Sequence, residues 1–196
     1  MYPEGFQTIV TVPVLARRWE GEARPHHFAG VATVVTKLFG MVRPHLTVFG
    51  QKDYQQAALV RQLVNDLNLG VAIQVRPTVR ERDGLAMSSR NVYLSADERR
   101  IAPLLSQALR AGRQMIEGGM SDVAAIERNM RQTIEQSPTM YVEYLAVCAP
   151  DSLEPLSLVT DRAVLLGAVR IGSIRLIDNL LVKMPGGKSR VSPHYS

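Results

Sequence analysis

Apolar positions in the first part of the chain change period in a regular way. Over residues 28–42, Val31, Val34, Val35, Leu38 and Val42 recur at helical spacing, and Arg43-Pro44 ends the run. Leu46-Thr47-Val48-Phe49 is a short apolar stretch closed by Gly50, the pattern of a buried strand. Residues 54–69 return to helical period through Ala58, Leu59, Leu63, Val64 and Leu67, and Gly70 marks the end. Residues 71–75 carry β-branched Val and Ile and read as a second strand. The order helix, strand, helix, strand predicts an α/β fold with a parallel, doubly wound sheet and right-handed crossovers.

The pattern breaks after Pro77. Arg80-Glu81-Arg82-Asp83-Gly84 is a charged turn and the ten residues after it show no period, so a domain boundary is placed near Arg80, dividing the chain into 1–80 and 81–196. Ser95 followed by Glu98 is a capping box ahead of a helix expected to run to about Glu117, before Gly118-Gly119. Ser121-Asp122 opens a second helix. Strand-like segments at 140–147, 163–169 and 173–182 then predict a small antiparallel sheet beside the two helices, a compact α+β domain. From Gly186 the tail is polar and expected to fray.

Composition narrows the class of protein. With 196 residues, 46% of them hydrophobic, the chain can bury a sizeable core. No apolar run reaches membrane-spanning length, and Met1-Tyr2-Pro3-Glu4-Gly5 lacks the positive and apolar regions of a secretory signal. A cytoplasmic protein without a membrane partner is expected. The single Cys148 lies in an apolar strand pattern and suits core packing better than a nucleophile. A net charge of +5 invites a nucleic-acid reading, but the cations are scattered, and no basic stripe interleaved with aromatics appears. A solvated helix face accounts for Arg99, Arg100, Arg110 and Arg113, and no nucleic-acid partner is expected.

Three segments carry groups suited to chemistry. Phe49-Gly50-Gln51-Lys52-Asp53-Tyr54-Gln55-Gln56 lies where a predicted parallel strand gives way to a helix, the edge of such a sheet that ligands favour. Gly50 would let backbone approach a ligand, Lys52 offers a cation to phosphate, and the first-turn amides add partial positive charge. Asp53 could hold magnesium through water, and Gln56 could turn its amide to a polar substrate. The same pattern also suits a plain helix start with a solvated lysine. The second segment, Asp83 to Asn91, contains Ser88, Ser89 and Arg90; a guanidinium with two hydroxyls suits a triphosphate, and equally an exposed turn before a capped helix. The third, His26-His27, tempts a metal assignment, but neighbouring helical side chains diverge by about 100° and no Cys, Asp or Glu cluster completes a site.

Taken in order, Met1-Tyr2-Pro3, Glu20-Gly21, Arg24-Pro25, His27-Phe28, Gly30-Val31, Lys37-Leu38-Phe39, the Phe49 to Gln56 segment, and Asp83 to Asn91 with Tyr93-Leu94 resemble the pantothenate synthetase family. The resemblance is dense over about half the residues and extends more loosely through the tail. It implies a nucleotidylyltransferase-superfamily ligase: the carboxyl-terminal part of a Rossmann-like domain followed by a small α+β lid domain, condensing pantoate with β-alanine at the expense of ATP, with magnesium as cofactor, in a homodimer. Carried over by motif, Gly50, Gln51, Lys52 and Asp53 resemble the ATP-binding loop, Gln56 a pantoate ligand, and Val79 a position whose backbone meets adenine. Met87, Ser88, Ser89 and Arg90 resemble the mobile phosphate loop, and Lys52, Ser88, Ser89 and Arg90 the catalytic set. Gln51 stands where the family pattern has Glu.

The resemblance also implies a preceding segment of roughly 100 residues, a domain-sized stretch, bearing a His-x-Gly-His motif and a second pantoate glutamine. Neither motif occurs among residues 1–196. The expectation is that this chain alone is catalytically incomplete and acts at most as a binding or dimerisation remnant. An apolar patch at Trp19, Phe28 and Phe39 is expected to support the dimer.

Overall fold

Proline at the first helical position, where a missing N–H is no loss, starts α1 (Pro13–Ala16), which is followed closely by α2 (Glu20–Ala23). The computed structural model describes residues 1–186, so the expected fraying beyond Gly186 lies outside the described residues. The chain divides into two compact units, Met1–Thr78 and Val79–Ser196.

In the first unit, α3 (His27–Val42) buries Phe28, Ala32, Val35 and Phe39. The stripe differs from the expected one, because Leu38 and Val42 are exposed. Apolar residues surround this helix, so spacing alone does not choose the inward face; the two phenylalanines, which bury the most area, do. Phe28 and Phe39 are therefore core residues rather than members of an exposed patch, and Trp19 is half-buried. Arg43 ends the helix in the left-handed region, its N–H bonded to the Phe39 carbonyl, and Pro44 prevents continuation.

Strands β1 (Leu46–Gly50) and β2 (Ala72–Arg76) pair in parallel, and α4 (Tyr54–Asp66) connects them. Helix α4 buries Ala57, Leu59, Val60, Leu63 and Val64; it ends before Leu67, which is exposed. The buried-strand pattern of β1 is met on one side only: Thr47 and Phe49 are half-buried, while Leu46 and Val48 on the opposite side are 53% and 56% exposed. Among the described residues this sheet has two strands.

The second unit contains α5 (Ala96–Ile101), α6 (Leu104–Glu117) and α7 (Val123–Ile134), then β3 (Met140–Cys148), β4 (Arg162–Ile171) and β5 (Ile174–Lys183) in an antiparallel sheet of that order. The single helix expected over 95–117 is two helices. Pro103 has no N–H to donate to the preceding turn, and the chain breaks at Ala102-Pro103. The capping box forms: the Glu98 N–H donates to Ser95 Oγ at 3.3 Å and the Ser95 N–H to Glu98 Oε2 at 2.8 Å. Asp122 caps α7 by accepting from the Ala124 N–H. Leu105, Leu109 and Ile116 of α6 and Ile126, Met130 and Ile134 of α7 pack with Val147, Leu165 and Val169 of the sheet in one core. Cys148 is fully buried. A bulge between Val142 and Tyr144 re-aims Glu143, which accepts from Arg170 at 2.9 Å and Arg175 at 2.6 Å.

The fold is thus α/β, a parallel strand pair with its helices followed by an α+β unit. No helix among the described residues is long and apolar enough to cross a membrane.

Candidate functional site

Strand β1 delivers Gly50 to its carboxyl end, a single 3-10 turn carries Gln51, Lys52 and Asp53, and α4 begins at Tyr54. Gly50 has φ −82° and ψ 136°, a conformation open to any residue. What its missing side chain provides is space, since nothing lies within 4 Å of where a Cβ would stand. Lys52 and Gln51 are half-buried. Asp53 precedes α4 without spending its carboxylate on a capping bond.

The next two residues divide their work. Gln56 is half-buried, and its side-chain amide makes no internal hydrogen bond among the described residues, so it remains available to a ligand. Gln55 is buried and fully engaged. Its Nε2 donates to the Leu15 carbonyl at 2.7 Å and the Arg18 carbonyl at 2.9 Å, while its Oε1 accepts from the Glu20 N–H at 3.1 Å. Two of these partners flank Trp19, whose φ of 52° is strained for a bulky side chain. Gly21 completes the corner, because a Cβ there would run into the Ala16 carbonyl. Sequence reading passed over Gln55; the available signal was a polar residue on the Leu59–Leu63 stripe.

His27 lies near this turn. Arg24 Nη1 is 3.3 Å from its Nε2, and burial, then the Arg24 charge, pull its pKa below the ordinary histidine value against the opposing fields of Glu20 and Asp53. Both effects favour the neutral imidazole.

In the second unit, residues Arg80 and Ala86 bridge across a tight turn. The Glu81 N–H donates to the Leu85 carbonyl, the Gly84 N–H to the Glu81 carbonyl, and the Met87 N–H to the Val79 carbonyl. Gly84 has φ +93°, and a Cβ there would also strike the Arg110 guanidinium. Arg99 spans the turn, donating to Asp83 at 2.5 Å and Glu81 at 2.6 Å, while Asn91 donates to Glu81 at 2.8 Å and to the Ala86 carbonyl at 3.2 Å. The Asn91 bond and then the Arg99 bond hold Glu81 below the usual carboxylate range; Arg99 does the same for Asp83. Arg99 is therefore a brace for this turn, unlike the solvated residue expected. Arg100 and Arg113 do lie on an outer face, paired with Asp97 and Glu117.

Met87, Ser89 and Arg90 are exposed beyond this frame, as is Val79 at 67%. Ser88 accepts from the Arg90 N–H at 3.2 Å, capping the short helix Ser89–Tyr93, and its hydroxyl hydrogen stays available to donate. The structure thus gathers the expected residues into two groups: Gly50, Gln51, Lys52, Asp53 and Gln56 in the first unit, and Val79, Met87, Ser88, Ser89 and Arg90 in the second. Among the described residues no group of three His, Cys, Asp or Glu side chains forms a metal cage. A lone exposed carboxylate at Asp53 fits magnesium, which takes one or two protein carboxylates and fills its remaining positions with water and phosphate oxygens.

These features meet those of known proteins. The family model described as pantoate-beta-alanine ligase matches residues 1–181. Pantothenate synthetase of Nitratidesulfovibrio vulgaris is 48% identical over 183 residues, covering 93% of this chain and 65% of that protein. The Roseiflexus sp. pantothenate synthetase is 50% identical over 183 residues, 93% of this chain and 66% of that protein. A pantothenate synthetase structure from Thermus thermophilus superposes with a TM-score of 0.89 at 49% identity, over 92% of this chain and 65% of that one. The pantoate-beta-alanine ligase from Francisella tularensis, complexed with beta-gamma ATP and beta-alanine, gives 0.69 at 32% identity, over 92% and 60%. This chain therefore spans about two thirds of the length of the relatives it matches. With a family model over most of its length, near-half identity to several pantothenate synthetases and their backbone, the chain belongs to the pantoate–β-alanine ligase family.

Proposed function

We propose that these residues serve the ATP-dependent condensation of pantoate with β-alanine to pantothenate, through a pantoyl-adenylate, in a cytoplasmic homodimer without a nucleic-acid partner. The observation that carries the reading is the β1–α4 junction. There an open Gly50, a lysine, an unspent carboxylate and an unengaged Gln56 amide stand at the carboxyl end of a parallel strand. By the family motifs, Lys52 and Arg90 are assigned to ATP phosphates, Ser88 and Ser89 to further phosphate oxygens, and the backbone near Gly50, Gln51, Val79 and Met87 to the nucleotide. Gln56 is assigned to pantoate.

The chemistry needs no covalent enzyme intermediate. A pantoate carboxylate oxygen attacks the α-phosphorus, and the bond to pyrophosphate breaks. The amine of β-alanine then attacks the acyl carbon, expelling AMP and losing a proton. The protein's part is positioning and neutralising charge on the leaving phosphates, which Lys52 and the Arg90 fork supply. Asp53 would hold magnesium through water, and the ion when bound adds positive charge against the phosphate oxygens.

A second reading, that residues 1–196 bind substrates without turning over, is favoured by two observations. The His-x-Gly-His motif implied by the family is absent from these residues, and one side of β1 is exposed. One experiment separates the readings: measure ATP binding by calorimetry and pantoate-dependent exchange of labelled pyrophosphate into ATP. Exchange with binding supports the full reaction, and binding alone supports the second reading. Absence of ATP binding refutes both.

A further inference from the structure

We propose that the Arg80–Asp178 ion pair is a positioning device that sets the conformation of residues 87–90, an inference that rests on reading this segment as the ATP-phosphate loop. Asp178 lies in β5, ninety-eight positions from Arg80 in sequence, and is 4% exposed. Its Oδ2 accepts from Arg80 Nη1 at 2.6 Å, and its Oδ1 accepts from Arg80 Nη2 at 2.8 Å and from the Asn179 N–H at 2.7 Å. The same guanidinium reaches outward, donating from Nη1 to the Gly84 carbonyl at 3.0 Å and from Nη2 to the Asn179 carbonyl at 3.3 Å. One planar cation thus ties the tip of the turn to the edge strand of the sheet.

A buried ion pair contributes little net stability, because desolvation offsets most of the attraction. What it supplies is one geometry, since the two-pronged fork fits a carboxylate in a single orientation. The consequence lies downstream. Ala86 is fixed by its bridge to Arg80 and by the Asn91 amide on its carbonyl, and Asn91 is held by Glu81, which Arg99 grips from the other side. Residues 87–90 are therefore suspended between two tied points, with Arg90 left exposed for its ligand. Neither Arg80 nor Asp178 is assigned to touch substrate; both act through the turn.

The test uses the full chain with Arg80→Lys, which keeps the charge and loses the fork, and the double variant Arg80→Met, Asp178→Leu, which removes the pair without stranding a buried charge. Backbone amide exchange is followed at Met87, Arg90 and Asn91, with ATP affinity by calorimetry and stability by urea unfolding. Expected are faster exchange at these amides in both variants and ATP binding weakened about tenfold, the result if the competent loop conformation falls to about a tenth of its population. The unfolding midpoint of the double variant should fall, because the Gly84 and Asn179 carbonyls and the Asn179 N–H lose their partners, so exchange and ATP affinity are compared without urea, where the variant stays folded. Parental exchange at all three amides in a folded variant overturns the inference, and faster exchange with unchanged ATP affinity overturns the link to nucleotide. If Arg80→Lys does not fold, the double variant carries the test. If the parent chain binds no ATP, the functional reading fails while the exchange rates still decide whether the fork sets the loop.

Discussion

Two adjacent glutamines show how much a single position on a helix decides. Gln55 faces the core stripe of α4 and spends its amide on three backbone groups, whereas Gln56, rotated by one position, keeps its amide unspent. Replacing Gln55 by Leu nearly keeps the volume and leaves the Leu15 and Arg18 carbonyls and the Glu20 N–H without that partner, at about 1–3 kcal/mol for each group that water does not reach. Urea unfolding of the first unit should shift to clearly lower concentration, and an unshifted midpoint would show that the corner does not depend on this amide. Gln56→Leu should leave the midpoint alone and weaken pantoate binding. Lys52 tests the phosphate assignment directly. Lys52→Ala should weaken ATP binding and, where pyrophosphate exchange is measurable, lower it by about 10²-fold, the scale of one lost transition-state donor. Near-parental exchange in that variant would make Lys52 a helix-start residue only. Spacing and residue type singled out the lysine and serine-arginine segments in the sequence but suited a plain helix start and an exposed turn as well, and it was the resemblance that favoured a ligand-binding reading. Gln55 and the Arg80 fork were not, since the partners of Gln55 and the β5 partners of Arg80 lie 35 to 99 positions away.

The elements themselves were legible where a local device fixes them. Ser95 and Glu98 announce α5 because both halves of their capping box lie within four residues, and Pro44 and Gly70 mark chain reversals for equally local reasons. Local pattern misled where two signals competed. The apolar period through 95–117 outweighed Pro103 in the expectation, although the missing N–H decides the structure. The turn at 80–86 has no period, and only the folded chain reveals how Arg99 joins it to α5. That brace has a pH consequence. Glu81 and Asp83 are held below their ordinary pKa values, so the stabilisation they give is complete above the unfolded carboxylate range and fades as pH falls through the folded values. Below about pH 4, near the unperturbed carboxylate values, the turn should loosen, seen as faster exchange at the Gly84 and Leu85 amides relative to the β4 amides. Arg99→Gln should loosen it at neutral pH and shrink the acid-dependent step. Both carboxylates are about one-third exposed, so added salt should weaken the effect as well. An acid step of the same size in Arg99→Gln would place the cause elsewhere.

At the scale of the molecule the two units differ in how completely their sheets are covered. In the second unit, β4 is paired on both edges and buries Ala163, Leu165, Val169 and Ile171 in one core with α6 and α7, and Val164 and Ala168 are fully buried as well. In the first unit, β1 and β2 form a two-stranded pair that leaves Leu46 and Val48 more than half exposed. Two strands alone are marginal in water, and exposed apolar strand residues favour association with other chains. Opening of the parallel pair should therefore require less free energy than opening of the antiparallel sheet. In native-state hydrogen exchange of residues 1–196, amides of Leu46–Gly50 and Ala72–Arg76 should exchange well before those of Arg162–Ile171, and the tendency to associate should rise with concentration. Limited proteolysis should cut first within the first unit and leave a resistant product beginning near Val79. Replacing Leu46 and Val48 by Thr, a β-branched residue that suits a strand and puts a hydroxyl on the exposed side, should reduce association without altering exchange in β4. Equal protection of β1 and β4 would show that the parallel pair is stabilised to the same degree as the larger sheet, and that the exposed leucine and valine do not govern the behaviour of this chain.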